Sequence, residues 1–429
     1  RVCARAMDHH QETKSKESYS LIKPLTNFMH VRKTIVISCL VASAFLFQYC
    51  SKSGDTTVTP TPVDPYAAIK ATFGTNIDPN NLANYGNQGK PAYITRDNAG
   101  GVVISNAKAT LGRVLFYDKN LSIDNSIACA SCHKQQFAFS DTAVASKGVQ
   151  GGTTARHSMR LINTRFATEP RFFWDERAAT LEIQTTMPIQ DHAEMGFSGQ
   201  SGRPALANLL TKLQGINYYN ELFKFVYGDI SVTEARLQEC LASFVRSIQS
   251  FDSKYDAGRA VAPNDNAPFP NFTPEENQGK QLFTAPPVFD ATGNRIGGGA
   301  GCAGCHAAPE FDIVPVSGNN GIIGRISGTG GIDITVTRAP SLRDLVNSAG
   351  QPNGPFMHTG NLGTLQNAIG HYNTMNLAPG NTNLDPKLRP NGFGQQLHFT
   401  GAEMNALAAF LRTLAGNNVY ADKKWSSPF

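Results

Sequence analysis

Apolar residues recur at helical spacing in several short stretches of the chain, and polar, glycine-rich and proline-rich segments separate these stretches. Leu111–Phe116 and Gln278–Phe283 each predict a short helix with a glycine, a basic residue and a Leu-Phe pair on one face. Thr273, followed by proline, marks the start of the second of these helices. A longer amphipathic helix is predicted to begin at Thr400, where Glu403 completes a capping box.

A Cys-x-x-Cys-His motif follows each of the two short helices. This pattern is typical of the covalent attachment of a c-type haem, in which the cysteines form thioethers and the histidine ligates the iron. The motif residues are Cys129, Cys132 and His133 in the first copy and Cys302, Cys305 and His306 in the second. A zinc site built from the cysteine pairs is a minor alternative, which the abutting histidines disfavour.

The repetition of helix, loop and haem motif predicts a mainly α fold of two cytochrome-c-like haem domains with few short strands and long loops. The Pro/Asn-rich stretch Ala262–Phe272 separates the repeats, so we expect domains at residues 66–261 and 262–429. The last helix should pack across the helix that precedes the second haem motif. Ile332–Thr337 is the best strand candidate.

Composition narrows the classes of partner. The chain of 429 residues is long enough for two domains, and its net charge of +5 is only mildly basic. No basic stripe with interleaved aromatic residues occurs, so we expect no nucleic-acid partner. Cys240 lies outside the haem motifs, in the apolar run Leu237–Phe251, and reads as a buried free thiol.

The N-terminal pattern predicts export. Residues 1–49 read as an extension followed by a basic region and an apolar run, which is shorter than the ~20 residues of a membrane span. Cys50 follows the run and begins a polar tether, residues 50–65, as at a lipoprotein processing site. A lipid anchor at Cys50, a plain signal peptide and an uncleaved anchor stay open. We expect a periplasmic protein, since bacteria attach c-type haem outside the cytoplasm.

From about Leu111 to Leu414 the chain resembles the bacterial di-haem cytochrome c peroxidases and their relatives of the MauG type. Four further motifs carry the resemblance besides the haem motifs. They are Phe172–Leu181, Met187–Gly196, Arg338–Arg343 and Pro355–Gly360. The resemblance implies that the first haem is the peroxide site and the second haem transfers electrons. It also implies a calcium ion near the domain interface.

The resemblance assigns roles to individual residues. His133 and His306 are expected to be the proximal ligands of the first and second iron. Glu194 matches the family's distal glutamate, which carries a proton during cleavage of the peroxide bond, and Gln184 matches its distal glutamine. Trp174 matches the tryptophan that lies between the haems.

The first iron is expected to be open at rest. Peroxidases of this family often carry a histidine after the first haem motif that blocks the iron until the second haem is reduced, and residues 134–152 contain no histidine. His157 aligns poorly with it and is interpreted as a packing or surface histidine. His358 is interpreted as structural.

The second haem departs from the typical peroxidase. Tyr372 stands where those peroxidases have a methionine ligand, and MauG-type members also carry tyrosine there. His371 is an alternative ligand and Met375 a weaker one. A phenolate favours higher iron oxidation states than a thioether does. Asn353 and Pro355 match positions whose backbone carbonyls bind calcium.

Three functions follow from this resemblance. The first is an exported peroxidase that reduces hydrogen peroxide to water with electrons from a small cytochrome c or another redox protein. The second is a MauG-like enzyme that oxidises a protein partner through high-valent iron, which Tyr372 favours. The third is a di-haem electron carrier without catalysis. A homodimer is compatible with the sequence, which leaves the oligomeric state open.

Overall fold

The computed structural model describes residues 63–168, 171–326 and 331–429, and over these ranges the chain is mainly α, as predicted. The helices are α1 Ala67–Phe73, α2 Asn106–Tyr117, α3 Cys129–Cys132, α4 Leu181–Gln190, α5 Leu206–Gln214, α6 Asn217–Tyr227, α7 Glu234–Ser247, α8 Lys254–Arg259, α9 Pro274–Thr284, α10 Leu365–Asn373 and α11 Gly401–Arg412. The strands are β1 Pro287–Phe289, β2 Arg295–Gly298, β3 His306–Ala307 and β4 Asp312–Ile313. The 3-10 turns are Lys119–Leu121, Gln135–Phe137, Val149–Gly151, Thr164–Phe166, Cys302–Gly304, Pro386–Leu388, Pro390–Gly392, Asn418–Tyr420 and Lys423–Trp425.

The expected extension, export signal and Cys50 anchor lie outside the described residues. Within the described ranges, no helix combines the length and the apolar character that a membrane span requires.

The two predicted helix starts are confirmed. Thr273 precedes α9, where Glu276 N donates to Thr273 Oγ1 at 3.2 Å and the Glu276 carboxylate accepts from Thr273 N at 2.7 Å. Thr400 and Glu403 form the same reciprocal pair before α11, at 3.2 and 2.9 Å. Each box satisfies backbone donors that the first helical turn leaves free, so local sequence suffices to start these helices.

The helix before the first haem motif crosses α7 at a glycine. A Cβ atom at Gly112 on α2 would overlap the carbonyl of Cys240 and lie 2.9 Å from Phe244 Cβ. Cys240 is a fully buried free thiol, as predicted, although α7 ends at Ser247 and not at Phe251.

The second repeat contains the same kind of glycine crossing between two helices. A Cβ atom at Gly279 on α9 would overlap the carbonyl of Ala406 and lie 2.9 Å from Phe410 Cβ on α11. The expected packing of the last helix across the helix before the second motif is therefore confirmed. The glycine of each lead-in helix allows the two backbones to approach closely.

The hydrophobic residues form two main cores. The first draws on residues 69–248 and the second on residues 255–414. The C-terminal segment returns to the first core through Val419 and Trp425, and the Trp425 indole donates to Ser247 Oγ at 3.2 Å. Tyr255, which precedes the expected boundary at residue 262, packs in the second core. The domain boundary itself stays a prediction.

The predicted strand Ile332–Thr337 is wrong, because this segment contains no ladder. Its backbone donors bond to loops instead: Asp333 N to Ile323 O at 2.8 Å and Thr337 N to Trp174 O at 3.0 Å. Alternating apolar residues alone cannot supply a partner strand. The strands that form are short antiparallel pairs, β1 with β2 and β3 with β4.

The Gly279→Ala variant tests the helix crossing. We expect it to lower the free energy of unfolding by about 1–3 kcal/mol, because the added methyl group overpacks the contact between α9 and α11. Gly401→Ala is the matched control, since a Cβ there meets open space, and should be neutral or stabilising by up to about 1 kcal/mol. Urea denaturation measures both. Equal unfolding midpoints for the two variants would contradict the close approach.

Candidate functional site

The first haem motif lies on α3 and the residue that ends it. Cys129 and Cys132 are three residues apart in one helical turn, which places both thiols on one face. His133 Nδ1 lies 3.0 Å from the carbonyl oxygen of Phe139. A carbonyl can only accept, so Nδ1 carries the hydrogen and the Nε2 lone pair is free to bind a metal. Burial lowers the pKa of His133, which keeps the imidazole neutral.

The second motif repeats this arrangement with a different local backbone. Cys302 begins a 3-10 turn, and His306 is the first residue of β3. His306 Nδ1 lies 3.2 Å from Phe311 O and 3.1 Å from Pro340 O. Burial lowers the pKa of His306 to about 4, so this imidazole is also neutral with Nε2 available.

A cavity of about 240 Å³ brings together the residues predicted for the first haem. Its lining includes the motif residues and both predicted distal side chains. These are Cys129, Cys132, His133, Gln184 and Glu194. Gln184 lies in the middle of α4, and Glu194 lies in the turn that follows that helix. The polar side chains therefore come from one helix and the turn after it.

The turn that carries Glu194 is held by Asp191, the C-cap of α4. The Asp191 carboxylate accepts from the backbone N–H of Ala193 at 2.8 Å and of Glu194 at 3.0 Å. Gly196 has a φ of +86°, and a Cβ there would lie 2.7 Å from Ile123 Cδ1. The glycine of the Ala-Glu-Met-Gly sequence is thus required by the backbone that positions the glutamate.

The electrostatic environment of Glu194 suits proton transfer near neutral pH. Burial raises its pKa to about 7, the nearby Asp191 carboxylate acts in the same direction, and Arg177 opposes them. A carboxyl group with such a pKa can both accept and release a proton at physiological pH.

A shared wall separates this cavity from a second one of about 780 Å³, which contains the second haem motif. The residues that line both cavities are His157, Ser158, Met159, Arg160, Trp174, Arg338 and Pro340. Trp174 is fixed from both repeats: its indole Nε1 donates to His157 O at 2.7 Å, and its carbonyl accepts from Arg338 N at 3.0 Å. Trp174 therefore lines the cavities of both motifs.

His157 belongs to this wall and is not a surface residue, since only 4% of it is exposed. Its Nδ1 bonds to Ala143 O at 2.9 Å, and its backbone N–H donates to His358 O at 2.7 Å. His358 is also buried, and its Nε2 bonds to Gly324 O at 3.0 Å. Both imidazoles thus have structural hydrogen bonds.

The two candidate ligands beside the second motif point in different directions. Tyr372 lines the second cavity with His306, and its phenol oxygen accepts from Asn320 Nδ2 at 3.2 Å. His371 is not part of the described cavity lining, and its Nε2 bonds to the carbonyl of Asn320 at 2.8 Å. Met375 packs in a small cluster beside Tyr372 and is likewise absent from that lining.

The predicted calcium position contains one unsatisfied oxygen. Asn353 is fully buried, its Nδ2 donates to Asp344 O and Tyr420 Oη at 2.8 Å each, and its Oδ1 has no hydrogen-bond partner. Pro355 lines the second cavity. Over the described ranges, no group of three or more acidic, histidine or cysteine side chains could hold a metal ion. Calcium stays a prediction, and no chemical role is assigned to it.

Sequence reasoning missed Arg160, which lines both cavities. The only available signal was its place three residues after His157. Arg177 was also missed, although it lines the first cavity and its guanidinium lies 3.6 Å from the Phe173 ring centroid.

The donor sets of both cavities fit a covalently attached haem. The motif cysteines are free thiols, and each motif supplies a neutral imidazole whose Nε2 is available. The thiols, the imidazole and a facing polar residue line the same cavity in each repeat, with Glu194 in the first and Tyr372 in the second.

Comparisons with known proteins agree with this geometry. The family model described as di-haem cytochrome c peroxidase matches residues 106–261. The methylamine utilization protein MauG of Methylophilus methylotrophus is 30% identical over 315 residues, which cover 72% of this chain and 82% of that protein. The cytochrome c551 peroxidase of Nitrosomonas europaea is 27% identical over 326 residues, covering 72% and 80%.

A solved structure gives the same picture. The crystal structure of a MauG-like protein associated with microbial copper homeostasis superposes with a TM-score of 0.59 at 26% sequence identity. The match covers 80% of this chain and 99% of that one. The relationship therefore extends over both repeats.

Replacing both cysteines of the second motif tests the fit. In Cys302→Ala/Cys305→Ala we expect the covalently bound haem to fall from two per chain to one, because the first motif lines its own cavity. Intact mass and haem staining after denaturing electrophoresis measure this. Cys240→Ala, which removes a buried thiol outside both cavities, should keep two. Retention of two covalent haems in the double variant would refute the assignment.

Proposed function

Because the chain belongs to the di-haem cytochrome c peroxidase and MauG family, we propose that it reduces hydrogen peroxide to water with electrons from a small cytochrome c or a similar redox protein. Membership of the family implies two c-type haems. The observation that carries the proposal is that Glu194 and Gln184 line the same cavity as the first Cys-x-x-Cys-His motif. An electron carrier has no need of a titratable carboxyl group there.

Three residues of the first cavity would have separate roles in peroxide reduction. The bound haem supplies the iron that receives peroxide and the electrons that reduce it. His133, held by its bond to Phe139 O, would bind the iron through Nε2. Glu194 would take the proton from the inner peroxide oxygen and deliver it to the outer one, which would leave as water when the O–O bond breaks with electrons from the haem. Gln184 offers an amide that can donate to peroxide.

Electrons are proposed to reach the first cavity through the wall. Trp174 lines both cavities, and its hydrogen bonds to His157 and Arg338 hold the indole in place. An aromatic side chain there would shorten the tunnelling steps from the second motif.

A MauG-like oxidation of a protein partner is the second candidate, and Tyr372 favours it. This phenol lines the second cavity, and the amide of Asn320 donates to its oxygen. Burial raises the pKa of Tyr372, so a phenolate there needs a nearby cation, as ferric iron would provide. A phenolate ligand lowers the reduction potential relative to a thioether, which stabilises the higher iron oxidation states that a MauG-like reaction would use.

We also propose that the protein acts in the periplasm, with its first haem open at rest. The basic and apolar N-terminal pattern and the requirements of c-type haem attachment support export, and Cys50 is the proposed position of a lipid anchor. The lack of a histidine between residues 134 and 152 supports an open first iron.

One experiment tests the function and separates the two candidates. Peroxide is added to the haem-loaded protein in a stopped-flow spectrometer, with and without reduced cytochrome c. We expect rapid, repeated donor oxidation. Haem iron that peroxide oxidises beyond the ferric state, and that persists while the donor is not oxidised, would refute the peroxidase and favour the MauG-like function.

The Tyr372→Met variant extends this experiment. We expect it to raise the potential of the second haem and to speed donor oxidation, because a thioether favours ferrous iron. His371→Gln is the neighbouring control and should leave the haem spectra unchanged. Spectral loss in His371→Gln alone would make His371 the ligand.

The Glu194→Gln variant tests the proton carrier. We expect kcat/KM for peroxide to fall about 10²- to 10⁴-fold, because the amide cannot carry the proton. In the wild type the rate should rise with pH through an inflection near 7, since only the ionised carboxylate accepts the proton and its pKa is about 7. The variant should lose this inflection. Glu239→Gln, which lies outside both cavities and pairs with Lys108, is the control. An unchanged pH profile in Glu194→Gln would contradict the role.

A further inference from the structure

Arg160 carries a positive charge into the wall between the two haem cavities. It is among the residues that line both cavities. Its Nε is shielded from solvent and has no hydrogen-bond partner, and one terminal nitrogen donates to the carbonyl of Ser341 at 3.1 Å. Within the described ranges, Arg160 forms no ion pair.

Other arginines near the cavities do have anionic partners. Arg156 pairs with Asp175 at 2.6 Å and with Asp333 at 2.7 Å, and Arg343 pairs with Asp256 at 3.0 Å. These ion pairs compensate the cost of removing the charges from water. Arg160 lacks this compensation.

The acidic group that acts most strongly on Arg160, Asp344, does not supply this compensation. Asp344 attracts Arg160 electrostatically, yet its Oδ1 accepts from Gly416 N at 2.8 Å and from Tyr420 Oη at 2.9 Å, and it makes no hydrogen bond to Arg160. Burial lowers the pKa of Arg160 to about 10. The lowered pKa means that neighbouring anions compensate its positive charge only in part.

We infer that Arg160 is a shared haem anchor, whose guanidinium binds propionate carboxylates at the junction of the two haem cavities. A guanidinium is always charged and presents donors in a planar fork that matches a carboxylate. Each c-type haem is fixed by its thioethers and carries two propionates, so haem loading brings anions into the cavities that Arg160 lines. The inference rests on the two-haem assignment and adds to it a residue that positions both cofactors.

The charge of Arg160 has a defined electrostatic consequence. A cation beside a haem stabilises the reduced iron, which carries one positive charge fewer than the oxidised iron. Removal of the cation therefore lowers the reduction potential. Because Arg160 lines both cavities, one side chain acts on both potentials.

Redox titration of the holoprotein tests the inference. In Arg160→Gln we expect the reduction equilibria of both haems to shift toward ferric iron by about tenfold, which is ~59 mV for a one-electron couple. Arg160→Lys keeps the charge and should stay within about threefold of wild type. The matched control is Arg165→Gln, which removes an arginine of the same segment that is paired with Asp97 and lines neither cavity. A reduction equilibrium that stays within twofold of wild type for either haem of Arg160→Gln would overturn the inference.

The Asp344→Asn substitution tests whether Arg160 binds the propionates or serves only as the counter-ion of the buried Asp344 carboxylate. If Arg160 serves only to neutralise Asp344, the double variant Arg160→Gln/Asp344→Asn will regain wild-type potentials, which would refute the anchor. We expect the double variant to keep the lowered potential.

A second readout covers the case in which the glutamine variants do not fold. The propionate bending bands in resonance Raman spectra report hydrogen bonding to the propionates, and Arg160→Lys should shift them. Unchanged bands would overturn the anchor.

Haem content of the wild type is measured first. Fewer than two haems would refute the cofactor assignment itself, whereas two haems with unchanged potentials in Arg160→Gln would refute only the anchor.

Discussion

The hydrogen bonds of Trp174 are the constraint on which the rest of the functional geometry depends. The indole donates to His157 O at 2.7 Å, and the Trp174 carbonyl accepts from Thr337 and Arg338 at 3.0 Å each. The two bonds to the Trp174 carbonyl join segments more than 150 residues apart in the sequence. Together with the indole bond they hold the wall that separates the two cavities. In this wall Trp174 and Arg160 line both cavities.

The two repeats share a helix crossing and a haem motif, but a different polar side chain lines each cavity. Both repeats use a lead-in helix with a glycine crossing, and both direct an imidazole hydrogen bond to a backbone carbonyl. In the first cavity, the turn after α4 presents Glu194, whose pKa is raised to about 7 by burial. In the second, α10 presents Tyr372. The imidazole hydrogen bond is thus common to both repeats, while a different polar residue lines each cavity.

Prediction from sequence succeeded where the signal is local. The capping boxes at Thr273 and Thr400 and the buried thiol of Cys240 depend on neighbouring residues or on helical periodicity, and the structure confirms them. The strand at 332–337 failed because a strand needs a distant partner, and this segment bonds to the Trp174 loop instead. Arg160 was missed because no local pattern distinguishes an arginine without an ion pair from one that has a carboxylate partner.

By itself the sequence determined the covalent chemistry: two Cys-x-x-Cys-His motifs at fixed spacing and a resemblance that selects Glu194, Trp174 and Tyr372 as the residues to examine. Tertiary structure decided which of these share a cavity, that Tyr372 and not His371 lines the second one, and that Arg160 lines both. The physical reason is that motif chemistry depends on contiguous residues. Cavities, burial and charge compensation depend on contacts between residues far apart in the chain.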